Sequence, residues 1–154
     1  MKTPRLWILV ADAGRAKVLA YEKPGRPLRP LDGLMFDNEL PPSRDILADR
    51  PGRSFESVGA TRHAQENPTD PRRELKRMFA TRLAGTLQDR LQVGDFDALA
   101  VVAPPSFMGD LRAVWPDGLR ARITSELTRD LTNSPAEELQ SALQDGLELP
   151  GPTR

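Results

Sequence analysis

The sequence predicts a single α/β domain in which a mixed sheet is flanked by helices, with the element order β-β-β-α-β-α-β-α. Three observations predict it. The chain has 154 residues, one domain's worth, and a domain of that size buries about 70% of the surface its unfolded chain exposes. The first quarter reads as strands and tight turns, with no helical period. The remainder alternates helical stripes with short apolar runs, the pattern of strand–helix–strand crossovers.

Arg5 to Val10 is an apolar run, as a strand covered on both faces should be. Asp12-Ala13-Gly14 supplies a turn, and Arg15 to Glu22 follows with Ala16, Val18 and Ala20 on one side and Lys17, Leu19 and Tyr21 on the other. That pair is a β-hairpin. Pro24, Pro27 and Pro30 interrupt the chain, and Leu31 to Phe36 is a third strand with a bulge expected at Gly33. Residues 37–69 are polar, rich in Pro and Gly and without period, and read as one long loop; loops of that length are usually functional or disordered. Asp70-Pro71 has the pattern of an N-cap followed by a first-turn proline. Leu75, Met78, Phe79, Leu83, Leu87 and Leu91 then recur at steps of three and four, and Gly94 ends the helix. Asp97 to Ala103 is a continuous apolar run of a central strand, stopped by Pro104-Pro105. Ser106 is expected to cap a short helix through Leu111 to Trp115, and Pro116 to open another turn to about Arg120. Arg122 to Leu127 is the last strand. Ser134-Pro135 starts the last helix, with Leu139 and Leu143 inward and Gly146 at its end. The expected core includes Leu75, Phe79, Leu83, Val101 and Val102. Three antiparallel strands followed by alternating helices and strands is the ribonuclease H-like arrangement, here a single domain over 1–149 with a loose tail at 150–154.

Composition removes several classes of chemistry. There is no cysteine and one histidine, His63, so thiol nucleophiles, thiolate metal sites and any site needing two imidazoles are excluded. The apolar stretch 6–11 is ended by Asp12, shorter than a signal core and far below the roughly 20 residues that cross a bilayer. A cytoplasmic protein with no membrane partner is the expectation. The net charge is zero, but it is blocked along the chain. Residues 1–30 carry seven Lys/Arg against two acids, 31–70 four against eight, 71–92 six against two, and 93–154 five against ten. Folded together, the cationic blocks could make one basic face for a phosphate-rich partner; salt-bridged neighbours account for them equally well.

Three constellations carry chemistry. Asp12 ends the first strand, where ribonuclease H-like nucleases hold Mg²⁺ with acids from the first helix and fourth strand. Glu74 lies on the helix, but the fourth strand ends in Ala103-Pro104-Pro105, so the set is incomplete. Asp12 is thus a weak metal candidate, and a turn residue bonding the backbone ahead of Gly14 is the preferred reading. No metal and no cofactor is expected. Next, Gly59-Ala60-Thr61-Arg62-His63-Ala64 precedes a helix whose first turns carry Arg72, Arg73, Lys76 and Arg77. Small residues admit a ligand to the backbone, and Arg62 and His63 could meet phosphate. Cations at a helix start oppose its dipole. Arg62, His63, Arg72, Arg73, Lys76 and Arg77 are therefore candidate RNA or phosphate contacts, against the alternative of a solvated polar face. His63 is also the one candidate catalytic group. Last, the junction Val102 to Gly109 could place a helix N-terminus against an anion, though prolines stopping a strand explain it more simply.

Several of these segments also carry a resemblance. Trp7-Ile8-Leu9-Val10-Ala11-Asp12-Ala13-Gly14-Arg15-Ala16, then Gly59 to Ala64, then Val102-Ala103-Pro104-Pro105 with Phe107, and Arg129-Asp130-Leu131-Thr132 together resemble the bacterial family of proteins required for attachment to host cells. That family is similar in turn to the middle domain of archaeal and eukaryotic peptide-chain release factors, which has the ribonuclease H-like strand order. Release factors carry a Gly-Gly-Gln loop before their long helix; the equivalent stretch here, Gly59 to Ala64, has none. The resemblance implies a release-factor-like module associated with the ribosome, rRNA or tRNA, acting in termination, rescue or dormancy and not expected to be an enzyme. Two alternatives stand beside it: an interaction factor with a protein partner that supports surface attachment, and a hydrolase using His63.

Overall fold

Asp12 makes the first reversal of the chain. Its Oδ1 accepts hydrogen bonds from the backbone N–H of Gly14 (2.7 Å) and Arg15 (2.8 Å). Its own N–H donates to the Arg15 carbonyl at 2.8 Å. The short side chain replaces the backbone acceptor that a tight turn lacks. The computed structural model describes residues 5–22, 26–40 and 71–146. On either side of the turn run β1 (Leu6–Ala11) and β2 (Arg15–Tyr21), antiparallel and in register from Leu6 opposite Tyr21 to Ala11 opposite Ala16. β3 (Arg29–Asp37) pairs antiparallel with β2. Two steps on β2, from Lys17 to Leu19, face five on β3, from Met35 to Pro30. The surplus bulges around Gly33, whose φ of +79° is the conformation glycine adopts without penalty. The strand is longer at both ends than its apolar run suggests.

After β3 come α1 (Pro71–Gln92), β4 (Ala98–Ala103), α2 (Pro105–Val114), the single turn α3 (Asp117–Arg120), β5 (Ile123–Thr128) and α4 (Ala136–Gly146). β4 lies parallel to β1, and β5 parallel to β4, so the five-stranded sheet has the order β3-β2-β1-β4-β5. The chain is a mixed α/β domain, as expected. Asp70, all but the first residues of the loop expected at 37–69, and the tail at 150–154 lie outside the described residues.

The sheet's two faces collect separate cores. Trp7, Leu9, Val18, Leu99 and Val101 face α1, α2 and α3, meeting Phe79, Leu83, Leu87, Phe107, Leu111 and Leu119. Trp7 stacks on Phe96 at 4.7 Å between centroids, and Phe79 on Phe107 at 5.9 Å. Leu6, Ile8, Val10, Leu19, Ala100 and Val102 point to the other face and pack with Leu131, Leu139 and Leu143. Every residue of β1 is buried because both its faces are covered.

Helix boundaries follow local chemistry. At the end of α1, Gly94 N–H donates to Leu91 O and Asp95 N–H to Arg90 O, both at 3.0 Å, with Gly94 at φ +86°. This is a Schellman cap, and an Arg90–Asp95 ion pair (3.1 Å) spans it. Three expectations are corrected. Ser106 caps nothing: α2 begins at Pro105, with Pro104, two residues before the serine, at the cap position and no side-chain bond. Its first turn closes through Met108 N–H to Pro104 O at 2.8 Å. Met78 is 58% exposed. The buried arc of α1 runs from Phe79, Leu83 and Leu87 toward Ala80 and Ala84, and at about 100° per residue Met78 falls on the far side of Phe79. Leu75 is half-buried rather than core; Phe79, Leu83, Val101 and Val102 are fully inside.

Candidate functional site

Three places deserve chemical scrutiny, and they arise from different parts of the fold. The first is at the carboxyl ends of the parallel strands, where open α/β sheets place their ligands. Asp12 sits there, but its oxygens are occupied. Oδ1 serves the turn, and Oδ2 accepts the Thr132 hydroxyl at 2.5 Å. The Thr132 Oγ1 also lies 3.0 Å from Asp130 Oδ1. Arg15 Nη1 donates to Asn133 Oδ1 at 3.1 Å. Thr132 is only 5% exposed. The cluster fastens the β1–β2 turn to the segment that follows β5, and this is the turn role preferred for Asp12 from the sequence. Among the described residues no three acids or histidines come together as a metal site would need.

The second place is the start of α1. The helix begins at Pro71, as its sequence signals. Arg73 and Arg77 are exposed, while Arg72 and Lys76, one stripe round, are half-buried. Arg77 Nη1 is 3.7 Å from Glu74 Oε1, so part of the charge is balanced within the helix. The four cations thus share one arc of about 140° at the start of the helix, half-buried at its Arg72 and Lys76 edge and exposed at its Arg73 and Arg77 edge. Gly59, Ala60, Thr61, Arg62, His63 and Ala64 lie outside the described residues.

The third place is a groove of about 610 Å³ on the second face of the sheet, which sequence reasoning missed. Five strands about 4.8 Å apart span about 19 Å between the outer two, enough for two helices of about 10 Å diameter on each face. The first face has α1 and α2. Among the described residues the second has only α4, whose Leu139 and Leu143 cover the β1–β4 part and whose Gly146 closes on Leu127 of β5. A Cβ at Gly146 would stand 2.9 Å from both Leu127 methyls, so glycine permits this approach. The β2–β3 part is left open. Leu19, Leu28, Pro30 and Met35 supply an apolar lining, and Met35 is 71% exposed. Glu137, Gln140, Ser141 and Gln144 line the α4 side, at steps of three and four along one stripe of the helix. Gln140 fixes the third side: its Oε1 accepts Leu28 N–H at 2.9 Å and its Nε2 donates to Arg26 O at 3.5 Å. Lys17 and Arg26 also line the groove, and among the described residues neither makes an ion pair. The signal available in the sequence was the helix count: among the described residues three full helices serve a five-stranded sheet, which leaves one half-face bare.

Among the described residues no helix is long and apolar enough to cross a membrane. A family profile described as "Protein required for attachment to host cells" matches residues 7–143. No curated protein matches the chain. The family match corrects the main functional expectation. A release-factor-like role in translation, with RNA binding and rRNA, tRNA or ribosome partners, gives way to host attachment, the reading first held as an alternative. The cytoplasmic expectation is corrected with it: that expectation rested on composition, whereas the family is defined by attachment to host cells.

Proposed function

The chain belongs to the family of proteins required for attachment to host cells, and from that premise we propose that it acts as a protein-recognition module whose contact site is the groove between α4 and the β2–β3 half of the sheet. The observation that carries this reading is the half-covered second face. An exposed apolar surface bounded by polar side chains on an otherwise well-packed domain is the usual mark of a binding site. Lys17 and Arg26 beside it, which make no ion pair among the described residues, add selectivity among partners more than affinity. The other two places are less suited: the Asp12 cluster is engaged in holding the fold, and part of the charge of the α1 cations is balanced by Glu74.

The test replaces Met35 with Asp and Lys17 with Glu in the cells that make the protein, and counts cells adhering to host cells. Met35 packs too little to matter for folding, so melting temperature and protein level should match wild type while adherence drops. Wild-type adherence by the double variant would remove the groove from attachment. We also infer a ribonuclease H-like fold within a single domain over 1–149, which the strand order and the antiparallel β1–β2–β3 unit followed by parallel β4 and β5 support.

A further inference from the structure

Resting on the groove as the recognition site, we propose that its occupant is one amphipathic helix of a different protein, about two turns of which lie along α4 with an acidic side chain toward Lys17 and Arg26.

The class of occupant follows from where backbone hydrogen bonds can be made. The floor is a face of the sheet, and the backbone groups of β2 and β3 there pair across the two strands. An extended peptide laid on that floor would find no ladder to join, and its own amides would lose water without replacement. Adding a strand at the β3 edge is disfavoured too: Pro30 has no N–H, and the bulge at Gly33 breaks the register. A helix satisfies its own backbone and asks the surface only for side-chain contact. The part of the face that no described residue covers is also one helix wide, and the lining stripe of α4 from Glu137 to Gln144 is about 10 Å long, two helical turns.

The occupant's polarity is set by the lining. Leu19, Leu28, Pro30 and Met35 call for apolar side chains at steps of three and four. Lys17 is half-buried with no ion pair among the described residues, and Arg26 likewise has none, so an Asp or Glu on the flank would meet uncompensated charge. Glu137 on the α4 side favours Lys or Arg on the opposite flank. A second copy of this chain is a poorer match. α1, α2 and α4 already turn their apolar stripes to their own sheet, and α4's outward residues Glu137, Glu138, Gln144 and Asp145 are polar.

The experiment uses the full chain in its own cells. A photoreactive phenylalanine analogue is placed at Met35, and separately at Val93, which is 72% exposed just past α1. Cells are irradiated during contact with host cells, and the crosslinked peptide is sequenced. The expected result is an adduct at position 35, absent at 93, to a segment of another protein with apolar residues at steps of three and four and an acid on one flank. That segment, synthesised, should gain helicity on adding the purified chain. Lys17→Glu should weaken its binding by about tenfold, and an acid-to-lysine change in the peptide should restore it. An adduct to an extended segment that stays non-helical would overturn the helix while leaving the groove as the site. An adduct to a second copy would make the face a self-association surface and overturn the proposal. No adduct above the level at Val93 would overturn both readings.

Discussion

Replacing Asp12 separates an architectural carboxylate from a reactive one. In Asp12→Asn the amide oxygen can still accept from the Gly14 and Arg15 N–H groups, which holds the turn. The amide nitrogen now faces Thr132 Oγ1, which can accept from it and donate its own proton to Asp130, 3.0 Å away. Every group keeps a partner, so the cost should be about 1 kcal/mol or less, the difference between charge-assisted and neutral bonds. Asp12→Ala removes the acceptor for two backbone N–H groups and for a Thr132 hydroxyl that is nearly inaccessible to water. Arg15 N–H can turn to solvent and the Thr132 hydroxyl to Asp130, but the part-buried Gly14 N–H is left without its acceptor, so the loss should be about 1–2 kcal/mol. Thr132→Val keeps the shape and strips the hydroxyl, at about 1–2 kcal/mol. Because Asp12 and Thr132 share one bond, the double variant should cost less than the sum of Asp12→Ala and Thr132→Val. Thermal and urea melts of the four proteins measure this, with about 2–4 °C in Tm for each kcal/mol in a chain of this size. Adherence should follow stability alone. Loss of adherence in Asp12→Asn at an unchanged Tm would refute the structural assignment and make the carboxylate part of the working site.

Phe79→Ala should destabilise by about 3–5 kcal/mol through lost burial and the cavity left against Phe107, whereas Met78→Ala on the exposed side should stay within about 0.5 kcal/mol; urea titration reads both. The Asp97 carboxyl is held below the usual carboxylate range by the Arg5 N–H at 2.8 Å and then by the Arg5 guanidinium at 3.3 Å. Its contribution is therefore fully present above the unfolded value of about 4 and lost as pH falls through the lower folded value. Asp97→Asn should accordingly flatten the stability curve below about pH 4 and leave its shape at neutral pH unchanged, as melts across pH would show.

The parts of the fold that were legible in the sequence are those where one local signal has one structural outcome. Asp12 before Gly14 makes a side-chain turn, Pro71 opens a helix, and Gly94 takes the left-handed conformation that closes one. The apolar run of β4 could be nothing but a doubly covered strand. The errors lie where several outcomes share a signal. Met78 sits at a helical spacing from Leu75, but spacing does not say which edge of a stripe faces inward. The alanines at 80 and 84 decide it, because their size lets α1 approach the sheet, and alanines carry little weight in an apolar count. Ser106 is a good cap residue two positions too late, since Pro105 already fits the first turn and fixes where the helix starts. The groove was illegible for another reason. No residue in it is unusual; it exists because no described residue covers Met35 beside α4, and the helix count, its one trace in the sequence, points to no residue.

The same geometry explains how a recognition surface can coexist with a stable domain. The residues that hold the sheet together, Ile8, Val10, Ala100 and Val102, lie under α4 and are fully buried. The groove begins where that cover ends, on outer β2 and β3, and its most accessible side chain, Met35, gives the fold almost nothing. Energy for binding therefore comes from surface that folding left bare, and sequence change there is free of the packing constraints that bind β1 and β4. The link between the two is Gln140, which belongs to α4 yet holds the chain at Arg26 and Leu28 through its amide. Releasing that hold would move one side of the groove without touching the core. Recognition and stability are thus separable at Met35 and Lys17 and coupled at Gln140, and that division follows from a sheet wide enough for two helices on a face that has only one among the described residues.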